Sequence, residues 1–211
     1  MAHHGILFLD EIAEFPRNVL EALRQPLEEG TVSVSRANGR YDFPARFLLI
    51  ATQNPCPCGY AGDPERTCSC SLSQIQRYKH KLSGPLLDRI DLHVQVGRPG
   101  QKAILGQAAT DLPIDQMRQS VAQARQIQRQ RFDSSMTNAA MTNRQVETYC
   151  GLDSEVTKLA KAALERLHIS VRSFYRLLKV SRTIADLEGS TAIAATHFAE
   201  ALQYRAQNEA N

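Results

Sequence analysis

Two adjacent acids, Asp10 and Glu11, directly follow a run of four apolar residues, Ile6 to Leu9. Such a run is too short for a typical helix and indicates a strand covered on both faces, as in a parallel sheet. In an open α/β sheet, ligands bind in the crevice at the carboxyl ends of the strands. We therefore expect both acids to stand at a binding site, where carboxylates can hold a divalent cation and polarise a water molecule. The alternative is an ordinary strand end with two solvated acids.

The same pattern, a hydrophobic strand ending in Asp-Glu, is the Walker B arrangement of P-loop ATPases. There the Asp holds Mg²⁺ and the Glu polarises the water that attacks the γ-phosphate of ATP. A second apolar run, Phe47 to Ala51, ends in Thr52-Gln53-Asn54. A polar side chain at that strand tip, beside the Walker B strand, can position the attacking water. Asn54 is the candidate, and Thr52 is the neighbour with which it is most easily confused.

A phosphate-binding loop is missing from the sequence. No G-x-x-x-x-G-K-[ST] motif and no Gly-Lys pair occurs in the 211 residues. A complete P-loop domain has a strand, a phosphate loop and a helix before its Walker B strand, whereas here the strand begins almost at Met1. We interpret the chain as a piece of a longer polypeptide; the alternative is that the nucleotide interpretation is wrong.

Four of the five cysteines form two close pairs, Cys56-Pro-Cys58 and Cys68-Ser-Cys70. Four thiolates in one short loop can close a tetrahedral Zn²⁺ site. One residue separates the members of each pair, where zinc sites usually have two, so free buried thiols or a redox pair remain alternatives. The clustering argues against a secreted disulfide framework.

Between the two apolar strands, Val32 to Phe43 predicts a β-hairpin, with a two-residue turn at Asn38-Gly39. Its tip carries Arg36 and Arg40. The functional interpretation is a finger that touches a phosphate backbone, and the alternative is two solvated arginines.

Two further arginines occupy positions where a phosphate could be met. Arg89 precedes an alternating apolar run, Leu92 to Val96, that predicts a third strand. Arg89 is either an arginine finger for a neighbouring subunit or an ion-pair partner of Asp88 or Asp91. Arg172 lies in the first turn of a helix predicted to start at Ser170, and a helix N-terminus favours anions. The alternative for Arg172 is a plain surface residue.

The chain as a whole predicts an α/β protein followed by a small all-α domain. We place a partial parallel-sheet ATPase core at 1–99, a linker at 100–114 and a helical lid at 115–208. In the first lid helix, we interpret the arginines as a solvated face (Arg118, Arg125, Arg129, Arg131). The sequence has no run of about 18 apolar residues and no leader-like start, which predicts a soluble, cytoplasmic protein without membrane partners.

Several motifs occur in the order of an AAA+ module: GILFLDE, IATQNP, SGPLLDRIDLHVQV and SVRSFYRLLKVSRTIADLEG. Together with the insertion CPCGYAGDPERTCSC and the ending TIADLEG, they resemble the ComM/YifB family of Mg-chelatase-like AAA+ ATPases over essentially the whole chain. The resemblance implies that Asp10 and Glu11 are Walker B, Asn54 sensor 1, Arg89 the arginine finger and Arg172 sensor 2. Family members carry a P-loop and a Lon-protease-like domain before this region.

The resemblance also implies a mechanism. ATP and Mg²⁺ would bind between the subunits of a self-assembled ring, a hexamer, and hydrolysis would move the hairpins along DNA during transformation and recombination. The alternatives are a motor subunit of magnesium chelatase, and a zinc-stabilised module that binds nucleic acid or partners without catalysis.

Overall fold

The computed structural model describes residues 2–97 and 113–205. It divides into two units, Met1–Ile90 and Asp91–Asn211. The first contains two small sheets with helices and the second is built from helices, so the predicted fold class, α/β followed by a small all-α part, is confirmed. The domain boundaries drawn from the sequence stay a prediction, and most of the predicted linker lies outside the described residues.

The first unit places its two parallel strands side by side. Strand β1 pairs with β4 so that Leu9 lies opposite Ala51. The next residues along each strand, Asp10 and Thr52, therefore share one edge of the sheet. The elements of this unit are β1 (Ile6–Leu9), a 3₁₀ helix (Ile12–Glu14), α1 (Arg17–Ala22), α2 (Arg24–Glu29), β2 (Thr31–Arg36), β3 (Gly39–Pro44), β4 (Leu48–Ala51), α3 (Leu72–Lys79) and α4 (Gly84–Leu87).

One face of the parallel pair is partly buried and the other is open. Ile12, Leu20, Leu82 and Leu86 form the buried core, and partly buried Leu9 packs against it. Ile6 and Phe8 on the opposite face are 62% and 57% exposed, and their partners on β4 are also exposed. The expectation that β1 is covered on both faces is therefore wrong within the described residues, because the helices of this unit pack on one side of the pair.

Helices α1 and α2 follow one another with a break between them. Pro16 precedes α1, and Gly30, at φ 67°, ends α2. The break falls at Leu23. Pro26 lacks an N–H to bond the carbonyl four residues earlier, but in the first turn of a new helix no such bond is required.

The hairpin forms with a turn one residue earlier than predicted. Arg36 pairs with Gly39, so Ala37 and Asn38 make the two-residue turn. Gly39 has a φ of 133°, a conformation that side-chain-bearing residues rarely adopt, and this allows it to start β3 directly after the turn. The register puts Arg36 on the face of Val34 and Tyr41, whereas Arg40 lies on the opposite face.

The second unit is an assembly of helices around Phe198 and Leu177, which are 0% and 1% exposed. Side-chain caps from Thr142, Asp153 and Ser170 start three of its helices, the last at the position predicted from the sequence. The helices are α5 (Ile114–Phe132), α6 (Asn143–Tyr149), α7 (Ser154–Arg166), α8 (Val171–Leu187) and α9 (Ala195–Gln203), with a 3₁₀ helix at Asn138–Ala140.

A buried ion cluster joins α5 to α8. The Asp186 carboxylate, 0% exposed, accepts hydrogen bonds from Arg131 Nη1 at 2.7 Å, Asn138 Nδ2 at 2.7 Å and Arg182 Nε at 3.0 Å. The prediction that Arg131 belongs to a solvated face is therefore wrong. A lone buried carboxylate is costly, and the arginine supplies the charge that it requires.

The predicted strand at Leu92 to Val96 is not a strand. Leu92, Val94 and Val96 are exposed, at 52%, 66% and 90%. An alternating pattern specifies which residues share a face, but a strand also requires a neighbouring strand to bond its backbone. In the described chain this segment has one backbone bond to Tyr204, from the N–H of His93.

Candidate functional site

Asp10 and Thr52 form the centre of the candidate site at the strand edge. The Thr52 hydroxyl donates to Asp10 Oδ1 at 2.6 Å and accepts from the backbone N–H of Glu11 at 2.8 Å. Two backbone bonds continue the parallel ladder there, from Thr52 N to Leu9 O and from Ile12 N to Thr52 O. One oxygen of the Asp10 carboxylate is thus oriented by the protein. A carboxylate held in this way at an exposed edge has its second oxygen available to a cation.

Glu11 is held in an unusual backbone conformation. Its φ and ψ are 48° and 54°, in the left-handed region, which costs a residue with a Cβ about 1–2 kcal/mol. The conformation turns the chain away from the line of β1 immediately after Asp10. The Glu11 carboxylate then accepts a hydrogen bond from Asn54 Nδ2 at 3.0 Å. Strained residues of this kind cluster at functional sites.

Tyr78 is a buried residue of α3 whose hydroxyl is influenced by the backbone of Asn54. Its ring is 3% exposed, and burial is the main cause that raises the pKa of its hydroxyl. The carboxylates of Glu14 and Glu11 raise that pKa further, whereas a hydrogen bond with the backbone of Asn54 lowers it. Helix α3, which carries Tyr78, is thereby joined to the residue that contacts Glu11.

The structure gathers four cysteines between β4 and α3. All four Sγ atoms of Cys56, Cys58, Cys68 and Cys70 lie within 4.8 Å of one another. Neighbouring sulfurs are 3.3 to 3.7 Å apart, well beyond the length of about 2.05 Å of a disulfide bond. All four are free thiols in the structure.

The thiols of this cluster differ in acidity. The backbone N–H of Tyr60, the largest cause, lowers the pKa of Cys58 to about 5, and a contact with Cys56 contributes. The backbone of Cys70 acts to lower the pKa of Cys68, but burial and the neighbouring sulfurs outweigh it and raise that pKa to about 12. Cys58 therefore loses its proton more readily than Cys68.

Two family models match the chain. One described as "Magnesium chelatase, subunit ChlI" matches residues 1–104, and one described as "Magnesium chelatase, subunit ChlI C-terminal" matches residues 113–205. Competence protein ComM of Haemophilus influenzae is 45% identical over 207 residues, which are 98% of this chain and 40% of that protein.

The chain belongs to the ComM/YifB family.

Other relatives agree with this family. YifB of Escherichia coli is 39% identical over 98% of the chain and 40% of its own length, and magnesium-chelatase subunit ChlI of Nephroselmis olivacea is 24% identical over 92% and 48%. The chain spans about 40% of the length of the ComM and YifB relatives that it matches. Within the ranges that the structure describes, no helix is both long and apolar enough to cross a membrane.

In this ComM/YifB chain, Arg89 is turned toward α2. Its guanidinium donates to the carboxylate of Glu28 and to the backbone carbonyl of Pro85, and its side chain is only 10% exposed. The sequence offered Asp88 or Asp91 as ion-pair partners. Glu28 was missed because it is distant in sequence, and no local spacing indicates a partner of that kind.

Arg172 lies in the second unit, exposed in the first turn of α8, which Ser170 caps as predicted.

Arg36 and Arg40 are both exposed on the hairpin but differ in their partners. Arg40 donates to Ser33 Oγ at 3.1 Å and lies 3.5 Å from the Asp42 carboxylate. Within the first unit, the strand-edge residues Asp10, Glu11 and Asn54 come together where β1 and β4 end.

Thr52 has a larger role in the site than the sequence indicates. Its spacing marks it only as a neighbour of Asn54, yet its hydroxyl joins Asp10 to the backbone of Glu11. The parallel register carries the signal. If Leu9 pairs with Ala51, the first residues beyond both strands must be adjacent.

Proposed function

We propose that this ComM/YifB chain supplies half of an ATP-hydrolysing site in a ring-shaped motor that moves DNA. The observation that carries the proposal is the strand edge, where Thr52 orients Asp10 and Asn54 contacts Glu11. Mg²⁺, when bound with ATP, neutralises phosphate charge and orients the γ-phosphate for attack. The phosphate loop itself would come from residues outside these 211.

The roles within the site follow from the contacts. Asp10 keeps one oxygen on Thr52 and offers the other to Mg²⁺. Glu11 is positioned as the group that takes a hydrogen bond from the attacking water and polarises it. Asn54 donates to one Glu11 oxygen, which fixes the carboxylate and leaves its other oxygen for that water.

Arg89 is proposed as the arginine finger and Arg172 as sensor 2. Arg89 now binds the Glu28 carboxylate, and an Arg fork that accepts a carboxylate also accepts a phosphate. To act on a neighbouring subunit it would exchange Glu28 for the γ-phosphate. We propose a homo-oligomeric ring, since a finger in trans requires a neighbour at each site, with six subunits as the ComM/YifB resemblance implies.

The nucleotide proposal is tested with Glu11→Gln in a longer chain that includes a phosphate loop. The variant should keep ATP binding and lose hydrolysis by roughly 100-fold or more, because Gln cannot polarise the water as a carboxylate does. Glu14→Gln is the matched control, since Glu14 lies on the adjacent turn but pairs with Lys81. Unchanged turnover in Glu11→Gln would remove Glu11 from its role.

The DNA proposal rests on the hairpin. Arg36 and Arg40 offer two cations, but Asp42 offsets the charge of Arg40. Replacing both by Ala should weaken DNA binding more than ATP binding and lower the salt dependence by about one unit per lost phosphate contact. Arg36→Ala alone should account for the larger part. The control is Arg77→Ala, which removes an equal charge from the exposed side of α3; equal effects of Arg36→Ala and Arg77→Ala would refute the hairpin contact.

A chelatase motor is the second candidate, because the family models carry the magnesium-chelatase description. The strand-edge chemistry would be the same and the load would be a chelatase partner. Capture of such a partner together with no DNA binding would reverse the order of the two candidates. We also propose that the four cysteines hold a structural Zn²⁺, separate from the Mg²⁺ of the strand edge.

A further inference from the structure

The cysteine cluster has the dimensions of a tetrahedral metal site. Four sulfurs at about 2.3 Å from Zn²⁺ lie about 3.8 Å from one another in a regular tetrahedron. The sulfur of Cys56 is 3.3 Å from that of Cys58 and 3.7 Å from that of Cys68, and the latter two are 3.5 Å apart. The cavity between the sulfurs thus requires only a slight expansion to hold the ion.

The surroundings of the cluster favour thiolate sulfur. The backbone N–H of Ala61 donates to Cys56 Sγ at 3.3 Å, and that of Cys70 donates to Cys68 Sγ at 3.4 Å. Gly59 has a φ of 82°, and this left-handed residue turns the loop back so that its N–H groups face the sulfurs. Cys56 is 0% exposed, so one ligand is fully sheltered from water.

The ligand set specifies the class of metal. The metal-ligating groups that come together here in the described chain are sulfurs alone. An all-thiolate tetrahedral set suits Zn²⁺ or iron and does not suit Mg²⁺ or Ca²⁺, which prefer oxygen. Zn²⁺ needs no redox partner and forms closed structural sites of this kind.

The cluster lies between the two elements that hold Asn54. Cys56 follows Asn54 by two residues, and Cys70 immediately precedes Ser71, whose side chain caps α3 in a capping box with Gln74. Further along α3, the backbone of Asn54 acts on the hydroxyl of buried Tyr78 and lowers its pKa. A metal ion bound by Cys56 to Cys70 would therefore fix the end of β4, which precedes Asn54, relative to the start of α3, which follows Asn54.

We propose that Zn²⁺ bound by Cys56, Cys58, Cys68 and Cys70 positions the Asn54 amide against Glu11. The cysteines are positioning residues that act through the loop. The importance of the Asn54–Glu11 contact rests on the proposed hydrolysis, but metal binding and the effect on Asn54 can be measured without ATP. In the metal-free chain the loop is held by thiol contacts and a few hydrogen bonds without metal ligation, and Asn54 should leave Glu11 more often.

The test compares zinc-loaded, chelator-stripped and zinc-restored forms of this 211-residue chain under reducing conditions. Elemental analysis should find about one zinc per chain. Amide hydrogen exchange across Thr52–Asn54 and the first turn of α3 should accelerate by roughly tenfold or more on stripping and recover when zinc is restored. Exchange in α8 should not change, which shows that the helical unit remains folded.

Two variants complete the test. Cys58→Ser should lose the metal and resemble the stripped chain, while the control Cys150→Ser, a cysteine in the second unit, should keep the metal. A reduced chain made with zinc present that binds none would overturn the site, and iron in its place would overturn the assignment to zinc. Zinc bound without any change at Asn54 would overturn the positioning role. If a longer chain keeps this exchange response but does not hydrolyse ATP, the ATPase proposal is wrong and the positioning role of zinc still stands.

Discussion

Replacing Asp186 by Asn should strongly destabilise the helical unit. The change keeps the shape of the side chain but removes the charge that Arg131 and Arg182 face. It also puts an NH₂ group where donors converge, since the carboxylate now accepts from Arg131, Asn138 and Arg182. The cluster joins α5 to α8, the helix whose first turn carries Arg172.

The magnitude follows from burial. Asp186 is 0% exposed and Arg182 is 2% exposed, so solvent screens neither charge. Removing one partner of a buried pair leaves the other uncompensated and costs about 3–5 kcal/mol. That is a large part of the typical 5–15 kcal/mol of unfolding free energy of a domain, and it corresponds to a melting temperature lowered by roughly 10–20 °C.

The assay is urea unfolding followed by circular dichroism, together with amide exchange in α8, which should quicken by about 10²- to 10³-fold. Asp115→Asn is the matched control. It is the same chemical change in the same unit, but Asp115 and Arg118 are 90% and 77% exposed, so we expect less than about 1 kcal/mol. Equal losses in the two variants would refute the argument from burial.

The pH dependence gives a second check on Asp186. Burial acts to raise the pKa of its carboxyl, but hydrogen bonds from Arg131 and Asn138 and the charge of Arg182 lower it below its ordinary value. The stabilisation is therefore complete above the pKa of the unfolded chain, about 3.9, and is lost as the pH falls through the lower pKa of the folded chain. The gap between wild type and Asp186→Asn should hold from pH 7 to 5 and narrow below about pH 4; a gap that is constant down to pH 2 would contradict this.

Three further outcomes are expected. Thr52→Val, which loses the bond to Asp10, should lower the unfolding free energy of the first unit by about 1 kcal/mol, while Thr52→Ser should not; equal urea midpoints would show that the hydroxyl contributes nothing. Leu86→Ala, at a residue 0% exposed, should cost about 2–5 kcal/mol in the same assay, and Leu72→Ala, at 81% exposed, less than about 0.5 kcal/mol. Burial raises the pKa of Cys150 to about 11, so iodoacetamide at pH 8 should leave this thiol unlabelled by mass spectrometry until the chain is unfolded; rapid labelling of the native protein would go against its burial.

The strand edge could be predicted because its signal is local. An apolar run that stops at Asp10 and another that stops before Thr52 indicate two buried-type strands, and parallel strands bring their carboxyl ends together. The choice between Thr52 and Asn54 as the partner of the acids could not be made from spacing. In the structure both are partners, of different atoms.

Features that depend on distant neighbours were predicted less well. Arg131 reads as one of several solvated arginines, since nothing within its helix indicates that Asp186 of another helix will reach it. The pattern of Leu92 to Val96 alternates correctly, but strand formation depends on a partner strand, which the pattern does not encode. The predicted hairpin turn, Asn38-Gly39, is displaced by one residue from the observed turn, Ala37-Asn38. Asn and Gly both favour turns, and the sequence does not indicate that Arg36 pairs with Gly39 across the strands.

The left-handed backbone at Glu11 lowers the stability of the fold at a residue whose carboxylate is proposed to take part in hydrolysis. A left-handed residue with a Cβ is less stable than glycine there, so Glu11→Gly should make the chain more resistant to unfolding by about 1 kcal/mol while deleting the carboxylate. Under the proposed function, a laboratory selection for thermal resistance alone would therefore favour variants that lack the carboxylate assigned to hydrolysis. Stabilising libraries of this chain should keep residue 11 fixed for that reason.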